Sequence, residues 1–416
     1  MELQYGKGSV HVDLPDENVS DVLQLKHAEC RPLHELLKES ITHPCGAPRL
    51  TKLLRRNKPT DVVILVSDRT RSISRYSEIL NFVAGEIVDA GVDEKNVEFV
   101  VALGTHRKHT AEEHAVLYGN LVSDFRFSYH DCHRDCISIG ATSTGLDVQV
   151  NKRVRDADLV IATGKINFHY MAGFSGGRKA VLPGICSYTT IRNNHCKLRR
   201  AGVALGALQN NIIAREMDEA ARLFGLDYMF NVVETSDNRT AKIFCGAPEC
   251  AFAEGVDYFK TQRSVAVRER VDCAFVSAGG YPLDKTLYTS HKSLNSVVRT
   301  VKKGGAVVLV AQCCEGIGNE AFMKNMRENS CDALLTCSED TIEIGGHRAF
   351  VTAQLLKDYR VYVLSDIEPD ILEQMKFIPI RSIDECVKHI RRERGDKFTA
   401  YVVPEGTSIL PVMNGK

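Results

Sequence analysis

The segment Leu159-Val-Ile-Ala-Thr-Gly-Lys-Ile-Asn-Phe-His169-Tyr-Met-Ala-Gly-Phe-Ser-Gly-Gly-Arg-Lys-Ala-Val-Leu-Pro-Gly-Ile185, followed by Asn193-Asn-His195, decides how the chain is read. Its first four residues form the short unbroken apolar run of a strand buried on both faces of a parallel sheet. A glycine-rich loop follows, with an imidazole at each end and an Arg-Lys pair inside it. In open α/β sheets ligands bind beyond the carboxyl ends of the strands, which is where this loop would lie. Gly173, Gly176 and Gly177 let backbone amides approach a ligand and permit positive φ, while Arg178 and Lys179 supply countercharge for a phosphate or carboxylate. A helical run beginning near Tyr188 adds its N-terminal amides. A nucleotide-hydrolase P-loop is excluded, because Ser or Thr must follow its lysine and here Ala180 does. The segment reads as a cradle for a small anionic cofactor.

Other buried-strand runs flank it: Val62-Val-Ile-Leu-Val66 and Val97-Glu-Phe-Val-Val-Ala-Leu103, with a helical pattern from Tyr76 to Ala90 between them. The alternation restarts at Cys273-Ala-Phe-Val-Ser277 and continues through Ala306-Val-Val-Leu-Val310, Val361-Tyr-Val-Leu364 and Ala400-Tyr-Val-Val403. The fold class is therefore α/β, as two α/β domains on largely parallel sheets with the active site expected in the cleft between them. The charged stretch Gln262 to Arg270 is the expected crossing. It divides the chain into a cofactor-binding domain, residues 1–265, and a domain contributing substrate-binding residues, 266–416.

The tails after the apolar runs carry the chemistry: Ser67-Asp-Arg-Thr-Arg71, Gly104-Thr-His-Arg107, Gly164-Lys-Ile-Asn-Phe-His169 and Ala278-Gly-Gly-Tyr-Pro-Leu-Asp284. His106 follows a strand and a Gly-Thr turn, which aims an imidazole, the side chain best poised for proton transfer near neutral pH, at the rim. Asp68 and Arg71 suit a ribose hydroxyl and an anion, although Asp in such a loop is also a common N-cap. His109 and His114 read instead as a capped, solvated helix face. Tyr288 and Lys292 are one turn apart on the helix expected after Asp284.

Composition narrows the partner. The 416 residues carry 53 basic and 53 acidic side chains, which marks neither a nucleic acid nor an acidic membrane surface as a partner, and leaves a small molecule. No apolar run approaches the roughly 18 residues of a membrane span, and the N-terminus lacks a signal pattern, so a cytoplasmic location is expected. The fourteen cysteines are scattered without a zinc-type repeat. Cys132-His-Arg-Asp-Cys136 and Cys245-Gly-Ala-Pro-Glu-Cys250 come nearest to ligand spacing, but no second ligand pair accompanies either. Reduced structural thiols are expected.

These motifs together resemble the nickel-dependent lactate racemase family, over most of the chain. The resemblance rests on Ser67–Arg71, Gly104–Arg107, the His169–Ile185 motif, Asn194-His195, and Gly279–Asp284 with Tyr288 and Lys292. It implies a covalently bound nickel pincer nucleotide, Ni(II) pyridinium-3,5-bisthiocarboxylate mononucleotide. Lys179 matches the lysine that holds this cofactor, and His195 the imidazole that completes nickel coordination beside sulfur and carbon, a donor set that suits square-planar Ni(II). Asp68, Arg69, Thr70 and Arg71, with Gly176, Gly177 and Arg178, match the cofactor-contacting segments. His106 and His169 match the paired acid/base histidines. Arg71, Tyr288, Thr289 and Lys292 match positions facing the substrate, Lys292 being the carboxylate-binding lysine. Cofactor-maturation enzymes are implied as partners.

The implied reaction inverts C2 of a 2-hydroxy acid by reversible hydride transfer, which avoids a dianionic enolate and leaves the difficult redox step to the cofactor. Thr289 stands where the family's lactate enzyme has a carboxylate-binding glutamine, and Phe350-Val-Thr-Ala-Gln354 lacks a tryptophan expected just before Thr352. With Ser290, His291, His347 and Arg348 close by in sequence, a larger or more polar acid than lactate is expected. Arg71-Ser-Ile-Ser74 also replaces an expected proline-containing turn. A nickel-nucleotide carrier without catalysis, and a pyridoxal enzyme using Lys179 as a Schiff base, are the competing readings; the carrier does not need the pair His106 and His169.

Overall fold

A computed structural model describes residues 1–25, 30–338 and 346–413. The chain forms two compact units, His27–Gln262 and a second made of Met1–Lys26 with Arg263–Lys416.

The first unit is built on a six-stranded sheet in the order Thr240–Gly246, Tyr228–Glu234, Leu159–Ile166, Val62–Val66, Val97–Val101, Arg126–Tyr129. All neighbours are parallel except Thr240–Gly246, which runs antiparallel to Tyr228–Glu234. Val62–Val66 and Val97–Val101 are buried at every position, because helices cover both faces of a parallel sheet and leave no polar side. The helix Tyr76–Asp89 lays Ile79, Leu80, Val83 and Ile87 on this sheet. From Val62–Val66 the chain winds outward in one direction through Val97–Val101 and Arg126–Tyr129. It then returns to build on the other side from Leu159–Ile166. The carboxyl ends of Val62–Val66 and Leu159–Ile166 thus form a topological switch point, where an open α/β sheet leaves a crevice.

The second unit carries its own six-stranded sheet, all parallel, in the order Ile378–Pro379, Arg360–Leu364, Val301–Val310, Val271–Ser277, Ala400–Val403, Val19–Val22. Separate apolar clusters cover its two faces. The edge strand Val19–Val22 comes from the N-terminus, whereas the sequence suggested that residues 1–265 form one domain. The physical reason is a contact distant in sequence: Asn18, buried, donates to the carbonyls of Asp396 and Phe398 at 2.8 and 2.7 Å and sets the strand beside Ala400–Val403. Asp284 contributes as well, its buried carboxylate accepting the Gly6 and Gln312 amides at 2.6 and 3.0 Å. All fourteen cysteines are free thiols. Among the described residues no group of three or more His, Cys, Asp and Glu is arranged to hold a metal, and no helix is long and apolar enough to cross a membrane.

Candidate functional site

At the switch point of the first unit lies a pocket, where an open α/β sheet binds its ligand. Its walls are the segments that leave the strands: Ser67, Asp68 and Arg71; Gly104 and His106; Gly164 and Lys165; and the Ser175–Gly184 loop with Lys179. Arg71 and Lys165 bring two cationic side chains to the lining and Asp68 one carboxylate, with the Lys179 amine between them.

The first wall is held rigidly. The Tyr76 hydroxyl accepts the Ser67 amide at 2.9 Å and pairs with Thr163 Oγ1 at 2.5 Å, while Tyr118 donates to the Ser67 carbonyl at 2.9 Å. His109 Nε2 accepts the Arg69 amide at 3.1 Å. His109 and His114 are half-buried in a cluster with Tyr118, Phe127 and Tyr129. The expected helix cap is present, Thr110 with Glu113, but the expected solvated face is an aromatic brace behind the site.

So braced, Asp68 is 3 % exposed, and His106 Nδ1 lies 2.6 Å from its Oδ2. Thr70 Oγ1 donates to Asp68 Oδ1 at 2.8 Å. Burial alone would raise the Asp68 carboxyl, but the His106 hydrogen bond and charge, with Arg71 and Thr70, hold it below the usual carboxylate range. The Asp68 carboxylate is thus committed to His106 and Thr70, where the sequence reading had it contact the cofactor. Arg69 is paired with Glu113 at 3.4 Å and does not line the pocket.

The glycine loop forms the floor. Gly176 has φ +148°, and a Cβ there would lie 2.9 Å from the Phe252 ring. Gly173 and Gly177 serve chain packing: a Cβ would strike the Ala207 carbonyl in one case and Met229 in the other. The 3-10 turn Gly177–Ala180 sends its two cations in opposite directions. Arg178 is 2 % exposed and donates to the Ala214 carbonyl at 2.7 Å. It also pairs with Asp218 at 2.9 Å and stacks on Phe252, so it braces the loop from behind and is not a pocket residue as the sequence reading had it. Lys179 faces the pocket. Burial first, then the charges of Arg71 and Arg178, push its ammonium well below the ordinary lysine value and favour the neutral, nucleophilic amine.

Two imidazoles outside this lining carry equally definite bonding. His169 ends the short strand Phe168–His169, and its Nδ1 accepts the amides of Met171 and Ala172 at 3.3 and 3.1 Å. His195 closes the helix Tyr188–His195, where the sequence placed a helix start. Its Nδ1 lies 3.1 Å from Asn194 Oδ1, and the Asn194 amide donates to fully buried Glu216 at 2.8 Å. That chain sets the proton on Nδ1 and gives Nε2 the lone pair a metal requires.

In the second unit the helix Leu287–Val297 carries Tyr288, Thr289 and Lys292. Thr289 forms a capping box with Thr286, its hydroxyl donating to the Thr286 carbonyl at 2.8 Å, so the side chain expected to meet substrate is spent on starting the helix. The Arg348 guanidinium lies 3.9 Å from the Tyr288 ring centre and donates to the Tyr288 carbonyl at 2.6 Å. His291 pairs with Thr352 at 2.7 Å, and burial with the Arg348 charge pushes His347 down to about 3.

Lys165 is a site residue the sequence reading passed over. It lines the pocket and pairs with Glu234 at 2.8 Å, and Glu234 accepts the Ser74 amide at 2.6 Å. Its position in a strand tail already seen to face the rim was the available signal.

Comparisons place this geometry. The model of the lactate racemase N-terminal domain matches residues 5–206, and that of the lactate racemase C-terminal domain matches residues 267–411. The chain is 30 % identical to the lactate racemase of Thermoanaerobacterium thermosaccharolyticum, covering 99 % of this chain and 98 % of the relative. It is 31 % identical to that of Lactiplantibacillus plantarum, covering 99 % of each. The solved lactate racemase apoprotein from T. thermosaccharolyticum superposes with a TM-score of 0.92 over 99 % of both chains. A Thermotoga maritima protein at 16 % identity and a TM-score of 0.61, over 89 % of this chain and all of its own, shares the fold. With both family domains matched in order along the chain and the relatives covered end to end, the protein belongs to the lactate racemase family and is an isomerase.

Proposed function

We propose that the chain inverts C2 of a 2-hydroxy acid other than lactate, using a nickel pincer nucleotide joined covalently to Lys179. The observation that carries this reading is Lys179 itself, a lysine shifted toward its neutral form in a pocket lined also by Arg71, Lys165 and the His106–Asp68 pair.

The residues present fit the group. The Lys179 amine is poised to form an amide-type bond. Arg71 and Lys165 offer charge to a phosphate. His195, with Nδ1 engaged by Asn194, presents Nε2 as a borderline nitrogen donor of the kind nickel accepts. When bound, the cofactor supplies an electron-poor centre that accepts and returns hydride at C2. The chain's part is to hold the acid and manage its hydroxyl proton, for which His106 and His169 are the imidazoles, while Lys292 suits the substrate carboxylate. The commitment of Thr289 to its helix cap supports a substrate other than lactate. Cofactor-maturation enzymes are the partners this reading requires. A carrier would have no use for an imidazole backed by a buried carboxylate.

The test is intact-protein mass and nickel content after co-production with a cofactor-synthesis system, followed by a panel of chiral 2-hydroxy acids. Wild type should show one adduct and about one nickel. Lys179→Ala should lose the adduct, and His195→Ala should keep the adduct but lose most of the nickel. An unmodified wild-type chain from a system that matures a control racemase overturns the reading.

A further inference from the structure

The pocket wall that carries Arg71 is held at its two ends by different means. At its start, Tyr76 and Tyr118 bond the Ser67 amide and carbonyl, and further along Ile73 is buried in the apolar core. At its far end the Ser74 amide donates to Glu234 Oε1 at 2.6 Å. A proline there would have no N–H to give, and serine leaves φ unrestrained, so the turn that a proline would stiffen is held here by an acceptor from outside it.

Glu234 ends the strand Tyr228–Glu234, whose pairing with Thr240–Gly246 slips between Val233 and Glu234, an irregularity of the kind that re-aims a side chain beside a site. On the neighbouring strand Lys165 lies opposite Val232, so it shares a sheet face with Glu234 two residues further on. The Lys165 ammonium reaches Glu234 Oε2 at 2.8 Å, with the two side chains 19 % and 5 % exposed. One buried carboxylate therefore ties the Arg71 turn to the tail of Leu159–Ile166, and both cations line the pocket. The bond to Glu234 uses one of three ammonium donors and leaves two for a ligand.

We propose that Glu234 is a positioning residue: by holding the Ser74 amide and the Lys165 ammonium on one carboxylate, it sets Arg71 and Lys165 to meet an anionic group in the pocket. The anionic group is the cofactor phosphate or the substrate carboxylate, and in this the proposal rests on the reaction proposed above. Glu234 itself touches neither.

The experiment combines amide exchange on the unloaded full-length protein with a double-mutant cycle on the loaded one. In wild type the Ser74 amide should be protected. Glu234→Ala should quicken its exchange about tenfold or more while Val62–Val66 stays protected. In the loaded protein Glu234→Ala should weaken anion binding about 10- to 100-fold. A fall in adduct yield assigns the anion to the cofactor phosphate, and a higher KM at unchanged adduct mass assigns it to the substrate carboxylate. Glu234→Gln, which keeps an oxygen for Ser74, should restore the protection of that amide. Arg71→Ala with Glu234→Ala should be no worse than Arg71→Ala alone, because a positioning residue has nothing left to position. Additive losses, which general damage to the fold would give, overturn the proposal, as does an unprotected Ser74 amide in wild type. If loaded wild type racemises no acid in the panel, the reaction assignment fails, while exchange at Ser74 and the adduct yields of the same four proteins still decide the role of Glu234.

Discussion

Lys179 shows how one residue couples folding to function. Its ammonium is disfavoured by burial and by Arg71 and Arg178, so the folded chain sheds a proton that the unfolded chain keeps up to the ordinary lysine range. Between the lowered folded value and that range the unfolded state binds more protons, and stability of the unloaded protein rises with pH. Lys179→Met should therefore be more stable than wild type at neutral pH and should lack part of this rise. Urea denaturation of both proteins from pH 7 to 10 measures the difference, and parallel pH curves would argue against an enclosed amine. The place of Lys179 in the glycine-rich loop needed no structure. That of Arg178 did, because neighbouring residues on a tight turn point apart and only the packing of Ala214, Asp218 and Phe252 shows which one turns inward.

Among elements, the helix Leu287–Val297 makes the plainest case. Its first turn is held by the Thr286–Thr289 box, which Gln at the third helical position would also satisfy. Thr289→Gln should change stability by less than about 0.5 kcal/mol. It also adds an amide reaching past the first turn. A new hydrogen bond to a charged carboxylate contributes about 1.5–3 kcal/mol. Lactate turnover should therefore rise about tenfold or more, measured as the ratio of the variant's kcat/KM to that of wild type. An unchanged ratio would remove Thr289 from the specificity argument. The strand runs and the Tyr76 helix were legible because apolar periodicity is a local property. The aromatic brace of His109 and His114 was not, since their polar helix shows nothing of Phe127 and Tyr129 on a neighbouring strand.

At the scale of the molecule, the N-terminal strand is the unexpected feature. Val19–Val22 pairs with Ala400–Val403, about 380 residues away in sequence, and Asn18 anchors the register through two carbonyls. Asn18→Ala should lower the stability of the second unit by about 1–3 kcal/mol, by loss of two buried hydrogen bonds. Amide exchange should quicken first in Val19–Val22 and leave Val62–Val66 protected. Equal loss of protection in both sheets would mean that the units unfold together.

By itself the sequence determined the α/β class, the two parallel sheets, the strand tails that carry the site, and the family. Each of these follows from short-range pattern: apolar runs of strand length, turns rich in glycine, and a long motif whose residue types serve one chemistry. Only the tertiary structure decided which cations line the pocket and that Lys165 is one of them. It also decided that Asp68 pairs with His106 and that the N-terminal strand Val19–Val22 completes the second unit's sheet. Those facts depend on partners distant in sequence, and a hydrogen-bond direction is set by the neighbour that packing supplies.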